Sequence, residues 1–62
     1  MNSRKQFINF LHIAQGSAAE LETQIFISQE LGFLTEGICS KLLEELEIIS
    51  KMIAGLQRSL KP

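Results

Sequence analysis

The side chains able to do chemistry are few, and their spacing keeps them apart. His12 is the single histidine and Cys39 the single cysteine. His12 has no cysteine or carboxylate at metal-ligand spacing within its own stretch, so it reads as a solvated or interface histidine and no metal site is expected. Cys39 falls on an apolar stripe with no basic side chain in its turn. A thiol in that setting behaves as a small hydrophobe, because a reactive thiolate needs a positive neighbour. Glu20 and Glu22 point to different sides of a helix and cannot serve one substrate as acid and base. Glu44, Glu45 and Glu47 read as a solvated face, while Thr23 and Gln24 are candidates for hydrogen bonds across an interface. No nucleophile, base and orienting group fall together. The chain therefore reads as non-enzymatic, with no catalytic residue, no cofactor and no small-molecule substrate.

The elements that must position these side chains are organised around Leu31-Gly32-Phe33-Leu34-Thr35. Gly32 suits a helix C-terminus because it takes a positive φ without a Cβ penalty. Thr35 suits an N-cap, since its hydroxyl accepts an orphan N–H of the next helix. On either side runs a proline-free segment of helical periodicity. The first helix is expected over about residues 4–31, with Ser3 as N-cap and Gln6 closing a capping box. The second is expected over about residues 36–60, after a turn at 32–35, with Pro62 ending the chain. The fold class is thus all-α: an antiparallel helical hairpin forming a single domain over residues 1–62.

Apolar spacing gives each helix a face. Phe7, Phe10, Leu11, Ala14, Ala18, Leu21 and Ile25 mark the first, together with Ser17 and Ser28. Ile38, Cys39, Leu42, Leu43, Leu46, Ile49, Ile53, Leu56 and Leu60 mark the second. A turn centred between Phe33 and Leu34 makes Phe7 face Leu60, Leu11 face Leu56, and Ala14 face Ile53. It likewise opposes Ala18 to Ile49, Leu21 to Leu46, Ile25 to Leu42, and Ser28 to Cys39. Small residues of one helix meet large residues of the other, as interdigitating layers require. Further apolar residues lie off these faces: Ile8, Ala19 and Phe26; Ile13, Ile27 and Leu31; Ile48 and Met52. Gly16 also lies off the face and marks either a second close contact or a tolerated loss of helix stability. Glu47 and Lys51 have the favourable order of an i,i+4 ion pair.

Composition bears on assembly. Hydrophobic residues make up 45% of the 62 residues, with a mean hydropathy of +0.14. Two helices alone leave each with one neighbour and cannot enclose a core. Neither a disulfide nor a metal is available as a staple, so self-association is the expected source of further buried area. A homodimeric four-helix bundle is favoured, with a larger ring as the alternative. Net charge is −1, not the strongly basic balance of a dedicated nucleic-acid binder. No apolar run reaches the length of a membrane span, and Met1 to Gln6 lacks the apolar region of a signal peptide. A cytoplasmic protein with no membrane association is expected.

One charge pattern remains. The hairpin brings Arg4 and Lys5 beside Arg58 and Lys61, so that four of the six basic residues gather at its open end. The helix dipole favours Arg58 and Lys61 at a C-terminus but disfavours Arg4 and Lys5 at an N-terminus. These four are the candidate phosphate-binding residues.

The stretch Phe10-Leu11-His12-Ile13-Ala14-Gln15-Gly16-Ser17-Ala18-Ala19-Glu20-Leu21-Glu22-Thr23-Gln24 carries a family resemblance. Together with Leu31-Gly32-Phe33-Leu34-Thr35 and the ending Gly55-Leu56-Gln57-Arg58-Ser59-Leu60-Lys61, it resembles the 23S rRNA intervening-sequence proteins, also called the four-helix-bundle protein family. The Gly-Ser-x-x-Glu-Leu-Glu-Thr-Gln run from Gly16 to Gln24 is the most specific part. The chain corresponds to the C-terminal half of such proteins, their last two helices; the N-terminal half, with its Asn-Ile-Ala-Glu-Gly motif, has no counterpart here. The resemblance implies a bacterial, oligomeric helical-bundle module without an enzymatic site. Accessory proteins of diversity-generating retroelements are similar in fold and bind nucleic acid and a reverse transcriptase through a basic surface. The alternative function implied is therefore a nucleic-acid or reverse-transcriptase accessory module using the basic end.

Overall fold

The computed structural model describes residues 3–61. Pro62 and the Met1-Asn2 lead-in, both used in the sequence reading, lie outside the described residues. The described chain consists of two helices, α1 (Ser3–Glu30) and α2 (Glu36–Leu60), with no strand among the described residues. The described part of α1 begins at Ser3, so the expected Ser3–Gln6 capping box falls at the limit of the described residues.

The turn follows from its residues. Gly32 has φ +84°, a left-handed conformation that L side chains rarely adopt. With Gly32 so placed, the Phe33 N–H donates to the Ser28 carbonyl at 2.9 Å and the Gly32 N–H to the Gln29 carbonyl at 3.0 Å. That crossed pair is the Schellman arrangement, which satisfies two of the last carbonyls of α1. α2 starts at once: Thr35 has φ −73° and ψ 159°, and its Oγ1 accepts from the Ile38 N–H at 3.2 Å. The turn is half packed. Leu34 rests on the core, whereas Phe33 remains 78% exposed.

The two helices run antiparallel as a hairpin with principal extents of 47 × 17 × 11 Å, a layer one helix thick. Its core lies towards the turn, where Ile25, Cys39 and Leu46 are buried with Ala18, Leu34 and Leu43 packed against them. Cys39 is 2% exposed, so its thiol is a packing group. Leu11 is buried in the open half, and Gln57, 6% exposed, lies in the same half.

The seam follows a spacing of three and four residues. On α2 it runs Cys39, Leu43, Leu46, Ser50, Ile53, Gln57, Leu60, all buried or half-buried. On α1 it runs Ile8, Leu11, Gln15, Ala18, Ile25, Gln29, with the exposed Glu22 completing the series. A repeat of 3.5 residues keeps one stripe of each helix facing its neighbour. Two members of each stripe are amide or hydroxyl residues. Gln57 is satisfied by a contact between its Nε2 and the Nδ1 of His12 at 3.2 Å across the seam. Among the described residues no buried side-chain nitrogen or oxygen lacks a hydrogen-bond partner.

Candidate functional site

The side chains weighed for chemistry are dispersed. His12 contacts Gln57. Thr23 donates its hydroxyl to the Ala19 carbonyl of its own helix at 3.3 Å, and Gln24 is exposed. Glu47 pairs with Lys51 at 3.3 Å, an exposed i,i+4 contact worth a few tenths of a kcal/mol. No cluster of three metal-ligating side chains occurs among the described residues. None of their helices is long and apolar enough to cross a membrane.

What the hairpin does present is an apolar face. The residues expected to form one core divide into two sets. Leu11, Ile25 and Leu46 are buried in the seam, and Ala14, Ala18, Ile53 and Leu60 are half-buried. Phe7, Phe10, Leu21, Leu42, Ile49 and Leu56 are exposed. The exposed set follows a spacing of its own, with half-buried Ala14 completing it: Phe7, Phe10, Ala14, Ser17, Leu21 on α1, and Ile38, Leu42, Glu45, Ile49, Met52, Leu56 on α2. Each series steps by three and four residues, parallel to the seam and displaced by about a quarter turn of helix.

Because the helices are antiparallel, both stripes flank the seam on the same side of the layer. Two depressions lie along this side, the first lined by both helices and the second by α2 alone. One is lined by Leu21 and Ile25 from α1 and by Leu42, Glu45, Leu46 and Ile49 from α2. The other, an open apolar hollow of about 560 Å³, is lined by Ile49, Met52, Ile53, Gly55 and Leu56. Phe10 is 66% exposed, Met52 68% and Ile49 50%. Glu45 is the single charged residue within the stripe. Ile13, Ile27, Leu31 and Ile48 extend apolar surface beyond it.

The area is large for the size of the chain. A compact monomer of 7.0 kDa exposes roughly 4000 Å². The hairpin exposes 4969 Å², about 900 Å² more. That surplus is total surface, and the stripe of Phe10, Leu21, Leu42, Ile49, Met52 and Leu56 is its most apolar part, of the kind that marks an interaction site.

The basic residues occupy the other notable surface. Arg4, Lys5, Arg58 and Lys61 are all exposed, at the start of α1 and the end of α2, which the antiparallel fold sets side by side. The Arg58 guanidinium lies back along its helix, 3.8 Å from where a Cβ on Gly55 would sit.

Sequence reasoning missed Gln57. The available signal was its place between Ile53 and Leu60 at the four-and-three spacing of the seam; polarity hid it.

Against known proteins, the family model described as 23S rRNA-intervening sequence protein matches residues 1–55. No curated protein and no solved structure matches the chain.

Proposed function

From the premise that this chain belongs to the 23S rRNA-intervening sequence protein family, we propose that it acts as a non-enzymatic, self-associating helical-bundle module of the cytoplasm. The observation carrying this reading is the open face of Phe10, Leu21, Leu42, Ile49, Met52 and Leu56, with exposed surface about 900 Å² beyond that of a closed monomer. A standard protein interface buries about 800 Å² on each partner, so one second copy supplies what the hairpin lacks. The result is a dimeric four-helix bundle, in which every helix has two neighbours.

Sedimentation equilibrium at micromolar concentration tests this, with a species of twice the 7.0 kDa chain mass expected. A folded, stable species at the mass of one chain would refute self-association. A closed ring of higher mass would keep self-association and reject the dimer.

A second reading is favoured by one observation: Arg4, Lys5, Arg58 and Lys61 are exposed at the same end. That end supplies phosphate contacts to a nucleic acid, without base readout, because helix termini offer charge and no side chains placed on base edges. Retention on RNA or DNA should fall steeply with salt, since phosphate contacts release counterions. Arg4→Glu with Lys5→Glu should weaken retention, and Lys41→Glu, near the turn, should matter much less. Equal loss from both changes would indicate diffuse attraction, and absence of retention at low salt removes this reading.

A further inference from the structure

Charge is sorted along the hairpin axis. Residues 20–47, the turn half, carry all seven glutamates and one lysine, a net −6. The remaining described residues, which form the open half, carry Arg4, Lys5, Lys51, Arg58 and Lys61 and no acid, a net +5. The chain total of −1 conceals this separation.

We propose that the two copies in the self-associated module lie antiparallel, related by a twofold axis perpendicular to the hairpin's long axis, so that the basic open end of each covers the acidic turn half of the other. This rests on the self-association proposed above. The competing arrangement, with the twofold axis along the hairpin, brings +5 against +5 at one end and −6 against −6 at the other. Like charges juxtaposed across an interface are strongly disfavoured, so charge acts here on orientation more than on affinity.

The apolar face agrees independently. On α1 its large residues run from Phe10 to Leu21 and on α2 from Leu42 to Leu56. The midpoints, near Gly16 and at Ile49, both fall in the middle third of their helices. A perpendicular twofold axis through that middle third lays Phe10 near Leu21 of the second copy and Leu42 near its Leu56. Ala14 and Ser17 lie close to the axis, and their size lets the two α1 helices approach. Glu45, the one charge within the stripe, then meets the half of the second copy that carries Lys51 and Arg58. In the parallel arrangement it meets the half that carries Glu22 and Glu44. A consequence concerns the basic ends: they sit at opposite ends of the bundle, and the second copy does not enlarge either one into a doubled patch.

Spin labels on Glu36→Cys, in a Cys39→Ala chain and separately on the native background where Cys39 is buried, read the orientation by pulsed dipolar spectroscopy. Glu36 lies next to the turn, so the antiparallel arrangement places the labels roughly 40 Å apart, from the helical rise over the bundle. A separation under roughly 20 Å, in a sample that sediments as a dimer, overturns the orientation and leaves self-association standing. Sedimentation as a monomer overturns self-association itself. Without any substitution, a dimer mixed from isotopically light and heavy chains can be treated with carbodiimide. Crosslinks joining Lys5 or Lys61 of one copy to Glu30 or Glu36 of the other are expected, and their absence from a sedimenting dimer also overturns the proposal.

Discussion

At Gln57 the chain puts an amide where the spacing of α2 calls for a hydrocarbon. The position is 6% exposed, and its contact to His12 Nδ1 is what makes an amide tolerable there. With the amide N–H₂ donating, that contact holds His12 in the tautomer protonated at Nε2. Gln57→Leu should lower stability by about 0.5–1.5 kcal/mol, the usual net worth of such a bond. Combining it with His12→Leu should recover part of the loss, and urea unfolding of the four members of the cycle measures the coupling. Simple addition of the two single effects would mean the contact contributes nothing. Glycines behave in opposite ways at two positions. At Gly32, φ +84° makes Gly32→Ala unfavourable by about 1–2 kcal/mol. At Gly16 a Cβ would meet nothing within 4 Å in the hairpin, so Gly16→Ala should stabilise by up to about 1 kcal/mol. Thermal unfolding followed by circular dichroism distinguishes the two signs. A destabilising Gly16→Ala would place a neighbouring chain against that backbone.

Among the elements, the turn was the most legible in the sequence. Gly32 and Thr35 each have a narrow conformational use, and both are found in it. Helix periodicity was legible too, but it assigns a residue to a broad sector and not to a particular neighbour. Leu21 and Ile25 belong to one apolar face by spacing; in the hairpin Ile25 is buried and Leu21 is not. The face was read with the most apolar residues at its centre, whereas the seam admits Gln15, Ser50 and Gln57. Hydrophobicity thus pointed partly at the wrong stripe, because the stripe left open is the richer in large apolar side chains. The start of α1 is less legible, because the polar residues from Asn2 to Gln6 offer several starts and helix ends are the least determined positions. The division into stripes has a mutational consequence. Leu46→Ala, in the cluster with Ile25 and Cys39, should cost about 2–5 kcal/mol in a denaturant titration. Leu43→Ala, half-buried on the same seam, should cost less, and reversal of that order would displace the core from where the hairpin puts it.

For the whole molecule, the proposed self-association would make stability and assembly a single quantity. If a second copy covers the open face, the melting temperature rises with protein concentration, because mass action favours the associated folded state. Ile49→Ala gives the sharpest contrast. In a lone hairpin Ile49 is 50% exposed, and truncation there should cost well under the value for a core residue. In the bundle it should cost as much as a buried isoleucine and should also shift sedimentation towards the single chain. A concentration-independent melt, with Ile49→Ala nearly silent, would mean that the face stays open.

The off-centre core has a bearing on how the chain folds in time. Ile25, Leu34, Cys39 and Leu46 surround a connection that needs only residues 31–35, so their first contacts close a short loop. Zippering outward from there towards Leu11 and Gln57 keeps each later step local, the regime of microsecond-to-millisecond folding. Amides near Ile25 and Leu46 should exchange with solvent most slowly, and those approaching Ser3 and Leu60 should open first. The ends that fray first in this order are the ends that bear the positive charge, so polyanion contact and helix-end fraying would compete on the same few residues.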